Sequence, residues 1–214
     1  MSMVAEAPDT TMVRIPIGGG TCLDAEVSLP RDARGIVLFT HGARNRSVAE
    51  ELNLLHMGTV LADLLTPEEE QLDERSGAYR FDIGLLTRRI VQWIDWLRAS
   101  ALGRSVPIAL FASSTATAAA LDAAVARREV VRAVVSCGGR PDLAKRLTDV
   151  KVPTLLIVGG LDAETLEPNI KAVRGMHCDR DLEVVPSATH RFAEPGAQER
   201  VAALAGSWFQ HNLR

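Results

Sequence analysis

Four short runs of mostly apolar residues constrain the fold of this chain more than any other feature of its sequence. Each run ends next to glycine or polar residues, and such a run is typical of a strand buried on both faces, as in a parallel sheet. The runs span residues 35–40, 106–112, 131–136 and 153–158.

Segments with helical spacing lie between these runs. Residues 81–100 are the clearest example, because their apolar side chains recur at intervals that place them on one helical face. That stripe contains Ile90, Trp93, Ile94 and Leu97. Further helices are predicted over residues 46–57, 115–127, 143–147, 163–174 and 196–212, and further strands over 59–65 and 182–185. Alternating strands and helices predict an α/β fold with a central, mostly parallel sheet and helices on both faces.

The beginning of the chain differs from this pattern. Residues 13–17 and 21–29 alternate weakly around three consecutive glycines, which predicts an antiparallel hairpin at one edge of the sheet. We expect residues 1–10 to be a flexible tail and residues 11–214 to form a single domain, since 214 residues with 47% apolar content suit one sizeable core. Residues 138–152 are too few to form a cap domain.

Charge and cysteine usage narrow the class of protein. A net charge of -3 gives no reason to expect a nucleic-acid partner. Cys22, Cys137 and Cys178 have neither disulfide-framework nor zinc-ligand spacing, which favours a reducing, cytoplasmic compartment. The first residues lack the basic patch and apolar run of a signal peptide, and no apolar run is long enough for a membrane helix. We therefore expect a monomer or homodimer that acts on small molecules, without membrane or nucleic-acid partners.

Serine, aspartate and histidine, which are associated with nucleophilic catalysis, follow three predicted strands in that chain order. Ser114 follows the strand ending at Ala112, Asp162 follows the strand ending near 158, and His190 follows the last strand. Active sites of open parallel sheets lie at the carboxyl ends of the strands. The chain order Ser, Asp, His is that of α/β-hydrolases.

Two adjacent serines compete for the role of nucleophile. A nucleophile on a sharp strand-to-helix turn needs small residues two positions before and after it. Ala112 and Ala116 flank Ser114 in this way, whereas Ser113 would have the bulkier Phe111 and Thr115. We therefore predict that Ser114 is the nucleophile, with a positive φ that Ser113 lacks. The alternative is that both serines only cap the following helix.

These pieces, taken together, resemble the dienelactone-hydrolase-related group of α/β-hydrolases over nearly the whole chain. The matching segments are 41–42, 112–116, 138–143, 159–162 and 188–190. The resemblance implies an α/β-hydrolase fold and a loop-shaping role for His41. The group has glycine at both positions that flank the nucleophile, where this chain has alanine, and it often has a longer loop after the His-Gly pair.

The remaining site residues follow from the same chemistry. The oxyanion hole is expected to use the backbone N–H groups of Thr115 and Ala43. Asp142 and Glu164 are rivals of Asp162 for the role of acid, but Asp142 lies near a helix start, where capping is its expected task. Arg44 is expected to be solvated.

The predicted function is hydrolysis of a small carboxylic ester, lactone or thioester through an acyl-enzyme on Ser114, with His190 as base and then acid. No cofactor or metal is implied. The alternative is a non-catalytic α/β-hydrolase-fold protein that binds a ligand or a partner. A nucleotide-binding fold is disfavoured, because the three glycines at 18–20 precede a strand and not a helix.

One polar segment, residues 66–80, has two interpretations. Thr66, Pro67 and Glu69 have the spacing of a capping box, which predicts a short helix. The simpler interpretation is a solvated surface helix and loop. The alternative is a small flap beside the active site.

Overall fold

Eight strands form one sheet in the computed structural model, which describes residues 9–18, 20–41 and 45–213. The strands are β1 (Asp9–Gly18), β2 (Thr21–Leu29), β3 (Ile36–Phe39), β4 (Gly58–Ala62), β5 (Ile108–Ser114), β6 (Val131–Gly139), β7 (Thr154–Gly159) and β8 (Arg180–Val185). Their spatial order is β1-β2-β4-β3-β5-β6-β7-β8. The strands β3 to β8 run parallel, while β1 and β2 are antiparallel and continue the sheet beside β4. The predicted mostly parallel sheet with an antiparallel amino-terminal hairpin is confirmed.

In the described residues, six α-helices flank this sheet. They are α1 (Arg46–Leu54), α2 (Pro67–Ser76), α3 (Ile83–Ala99), α4 (Ala116–Ala126), α5 (Ala163–Gly175) and α6 (Ala197–Asn212). One apolar cluster joins the sheet to α3 and α4, and a second cluster joins its other face to α1 and α6. The predicted stripe of α3 lies in the first cluster, and its members Ile90, Trp93, Ile94 and Leu97 are all 0% exposed. Helices on both faces bury the central strands completely, which explains their continuous apolar runs.

The structure corrects two expectations. The helix predicted over 143–147 is wrong: the segment forms two short 3-10 turns, Pro141–Leu143 and Leu147–Asp149. Between them, Ala144 has an extended backbone, and the Asp122 carboxylate accepts hydrogen bonds from the backbone N–H groups of Lys145 and Arg146. Strand β1 begins at Asp9, inside the residues predicted to be a tail.

Helix α2 is firmly attached to the rest of the molecule. Its capping box is confirmed, because the Thr66 hydroxyl accepts from the Glu69 N–H and the Glu69 carboxylate accepts from the Thr66 N–H. The buried guanidinium of Arg89 on α3 donates two hydrogen bonds of 2.6 Å to the same carboxylate. This pairing lowers the pKa of Glu69. A partly buried ion pair with satisfied donors fixes α2 against α3.

Of the helices in the described part of the chain, none combines the length and the apolar character that crossing a membrane requires.

Candidate active site

Ser114 ends β5 on a strained turn. Its φ is 52°, a left-handed conformation that is uncommon for a residue with a side chain, while Ser113 has no positive φ. Ala112 and Ala116 are 0% exposed, so there is no room for larger side chains where the strand meets α4. The expected backbone strain at Ser114, and its absence at Ser113, are confirmed. Such strain persists only where the surrounding structure imposes it, and it is common at functional sites.

His190 and Asp162 meet at the ends of two neighbouring strands. His190 Nδ1 lies 2.8 Å from Asp162 Oδ2. Asp162 is 8% exposed and also caps α5, because its carboxylate accepts from the Thr165 N–H at 3.3 Å and the Thr165 hydroxyl at 2.5 Å. The carboxylate is therefore held in place by a neighbour on its own helix. With Nδ1–H directed at Asp162, the Nε2 of His190 carries the lone pair that a general base needs.

Backbone contacts set the relative position of the loops that carry Asp162 and His190. The Leu161 N–H donates to the Ala188 carbonyl at 2.9 Å, which joins the turn after β7 to the turn after β8. Gly159 faces the same carbonyl so closely that a Cβ atom there would overlap it. The distance between Asp162 and His190 thus depends on glycine at position 159, because a side chain there would overlap the Ala188 carbonyl.

Gly159→Ala should consequently displace the loop that carries His190. We expect the free energy of unfolding to fall by about 1 to 3 kcal/mol, as for other overpacked sites, and any hydrolysis of an ester to fall with it. Gly175→Ala is the matched control, because Gly175 ends α5 with nothing within 4 Å of its ideal Cβ position. This control should be neutral or slightly stabilising. Urea denaturation and initial rates of both variants measure the effect, and equal behaviour of the two would contradict this account of the loop.

Ser114 and His190 line the same cavity, which has a volume of about 300 Å³. Its wall includes the apolar side chains of Val48, Phe192 and Val201 and the polar side chains of Asn45, Arg191 and Gln198. Among the described residues, no hydrogen bond joins the Ser114 hydroxyl to His190. Catalytic hydrogen bonds are often long before substrate binds.

A second cavity of about 300 Å³ also reaches Ser114. Thr115 and Ala116 at the start of α4, Thr40 and His41 after β3, and acidic side chains of α2 line it. The polar segment 66–80 therefore lies beside Ser114, as the flap interpretation required. The contacts of α2, however, hold it in place as a fixed wall of the cavity. Ser114 stands where these two cavities meet.

The other residues predicted for the site lie in different parts of the fold. Asp142 pairs with the guanidinium of Arg140 at 2.7 Å and lies inside a 3-10 turn, so the capping role expected for it is wrong. Glu164 is exposed in the first turn of α5. Ala43 and Arg44 lie outside the described residues. Thr115 is buried at the start of α4, where the first N–H groups have no acceptor within the helix.

Several features of the site were not predicted from the sequence. Gly138 has a φ of 56°, and a Cβ there would lie 3.5 Å from His190 Nδ1, so His190 packs against the end of β6. The buried Cys137 thiol lines the first cavity, but burial raises its pKa to about 12 and so disfavours the reactive thiolate. Thr165 could have been found, since it stands three residues after the Asp162 cap.

Comparison with solved structures finds matches that cover nearly the whole chain. The crystal structure of a dienelactone hydrolase from Anabaena variabilis is 45% identical, covers 98% of this chain and 100% of its own, and superposes with a TM-score of 0.93. A dienelactone hydrolase-like promiscuous phosphotriesterase from metagenomic libraries has a TM-score of 0.79 at 19% identity, over 98% of this chain and 100% of its own. The second match shows the fold alone.

Two curated relatives from Mycobacterium tuberculosis strains are 46% identical over 205 residues, which is 92% of this chain. Both are provisionally named phosphoribosyl transferases. This chain spans about half of their length, 45%. No protein-family model matches the sequence.

Proposed function

Because the chain belongs to the dienelactone-hydrolase-related group of α/β-hydrolases, we propose that it is a serine hydrolase. It cleaves a small carboxylic ester, lactone or thioester through an acyl-enzyme on Ser114. One observation carries the proposal: the strained Ser114 and the His190–Asp162 pair converge on a single cavity. The three free cysteines fit a reducing compartment such as the cytoplasm.

Acylation begins when the Ser114 hydroxyl oxygen attacks the carbonyl carbon of the substrate. The hydroxyl proton passes to His190 Nε2, and Asp162 stabilises the resulting imidazolium through Nδ1. The carbonyl oxygen becomes an oxyanion. When the tetrahedral intermediate collapses, the bond to the leaving oxygen or sulfur breaks and His190 returns the proton to that atom.

Deacylation repeats these steps with water. His190 Nε2 takes a proton from a water molecule, whose oxygen attacks the acyl carbon. Collapse releases the carboxylic acid, and the Ser114 oxygen recovers its proton from His190. Each proton removed is returned, so the cycle needs no cofactor or metal.

The backbone N–H of Thr115 is the first donor that we assign to the oxyanion. Thr115 directly follows Ser114 at the start of α4 and lines the second cavity. The positive end of the helix dipole favours negative charge there. Ala43 remains our second donor. A donor held by a helix needs no reorganisation when charge develops.

A fluorophosphonate probe tests the proposal directly. The probe phosphonylates an activated serine, so we expect one adduct per chain, and peptide mapping should place it on Ser114. Asp162→Asn should slow labelling, because the base is then poorly oriented. A protein that stays unlabelled and hydrolyses no ester of a broad panel would favour the alternative, a non-catalytic protein of this fold that binds a ligand or partner.

We do not extend the name of the mycobacterial relatives to this chain. That name belongs to proteins more than twice as long as the matched region, since the match covers 45% of them. The run of three glycines at residues 18–20 precedes strand β2 and not a helix, which makes it a poor diphosphate loop.

A further inference from the structure

The second cavity carries more negative charge than its surroundings neutralise. Four carboxylates line it, those of Asp63, Glu70, Asp73 and Glu74, together with Arg80 and His41. The Arg80 guanidinium is engaged by Asp73 at 2.6 Å. Asp73 further accepts from the N–H groups of Tyr79 and Arg80 at 2.8 Å, so its charge is satisfied within this turn.

The other three carboxylates have no such partner. In the part of the chain that the structure describes, no ion pair or hydrogen bond involves the carboxylates of Asp63, Glu70 or Glu74. Partial burial, together with the like charges of Glu70 and Asp24, raises the pKa of Asp63 to about 6. Like charges that lack a cation create a field that attracts positive ligands.

A buried hydroxyl in the same cavity also lacks a partner. Thr40, at the end of β3, is 1% exposed, and its Oγ1 makes no hydrogen bond to any described residue. It lines the second cavity with the carboxylates. Since buried polar atoms are nearly always hydrogen-bonded, an unpaired one beside a cavity is a position for a polar atom of a ligand.

The position of His190 decides which part of a substrate enters this cavity. His190 must deliver a proton to the leaving atom, and it lines the first cavity but not the second. The leaving group therefore belongs in the first cavity. The acyl chain then occupies the second cavity, which Ser114 and Thr115 line.

We propose that the cavity between Ser114 and α2 is an acyl subsite for a chain that bears a protonated amine. This inference rests on the proposed hydrolase function. The ammonium group would face Asp63 and Glu70, and Thr40 would accept a hydrogen bond from the substrate. Acyl chains that end in a carboxylate are repelled by the same field.

Three matched p-nitrophenyl esters test this assignment. All have a trans-cyclohexanecarboxylic acyl group, whose far ring carbon bears an ammonium, a methyl or a carboxylate group; the trans ring prevents the amine from attacking its own ester. We expect kcat/KM to fall in the order ammonium, methyl, carboxylate, by about fivefold at each step, the size of a partly exposed ion pair. The preference should shrink in high salt. Equal rates for the three esters, or a preference for the carboxylate, would overturn the proposal.

Charge variants locate the effect. Asp63→Asn and Glu70→Gln should each lower the ratio of kcat/KM values for the ammonium and methyl esters by about threefold or more. Glu68→Gln is the matched control: it removes the same charge from the same helix, but Glu68 does not line the cavity, so the ratio should not change. Ratios that move equally in all three variants, or in none, would refute the subsite.

A binding measurement separates this inference from the hydrolase proposal. The unreactive primary amides of the ammonium and methyl acids keep the same acyl part, and calorimetry gives their affinities without turnover. If no ester is hydrolysed, the hydrolase proposal fails. The subsite would still be supported if the ammonium amide binds more tightly than the methyl amide and Asp63→Asn weakens that binding. Equal affinities for the two amides would remove it.

Discussion

Ser114→Ala should lower kcat/KM for any ester substrate by a factor on the order of 10⁴ to 10⁶, because the nucleophile, base and acid act as a unit. Alanine removes only the hydroxyl, so the turn and both cavities should persist. Ser113→Ala is the control, since Ser113 lines the first cavity next to Ser114 but has no positive φ. Steady-state kinetics of the two variants on one ester measure the difference. If Ser113→Ala were the inactive variant, the assignment of the nucleophile would be reversed.

Ser114→Gly adds a measurement of strain to this experiment. Glycine accepts a φ of 52° without steric cost, so this variant should be as inactive as the alanine variant yet more stable, by about 1 kcal/mol. Thermal unfolding of the wild-type and glycine variants gives the comparison. A glycine variant less stable than the wild type would show that the turn stores no strain at Ser114.

Asp162→Asn should lower kcat by a factor on the order of 10⁴, because a neutral amide neither stabilises the imidazolium nor fixes the productive tautomer of His190. Asparagine caps helices about as well as aspartate, so the start of α5 should remain intact and the unfolding temperature should change little. The variant therefore separates the chemical task of Asp162 from its structural one.

Asp142→Asn is the matched control for this second experiment. Asp142 bonds to Arg140 and not to His190, so its variant should keep activity near that of the wild type. Loss of activity in Asp142→Asn, with full activity in Asp162→Asn, would reverse the choice of acid.

The sequence predicts those parts of the site that depend on local patterns. Apolar runs place the parallel strands, and the residues after each run place Ser114, Asp162 and His190 at the same edge of the sheet. The choice between Ser113 and Ser114 also follows from local sterics, because the small, fully buried Ala112 and Ala116 lie two positions before and after Ser114.

Parts that depend on distant contacts could not be predicted in this way. The fixed position of α2 results from Arg89, twenty residues beyond Glu69, and spacing alone does not indicate that pairing. The wrong helix at 143–147 has a similar cause, since the distant Asp122 on α4 holds the backbone N–H groups of Lys145 and Arg146 beside an extended Ala144.

The reaction centre and the acidic wall come from different stretches of the chain. Ser114, Asp162 and His190 follow β5, β7 and β8, whereas α2 is inserted between β4 and α3. Selection can therefore exchange the charges of α2 while the acid–base machinery keeps its own supports. For protein engineering, this makes Glu70 and Glu74 suitable positions for a small combinatorial library, with Glu69 and Asp73 kept constant because their ion pairs anchor the helix. Because Asp63 lies outside this ten-residue helix, we expect such a library to weaken the proposed preference for cations, and inversion to require Asp63 as a further position.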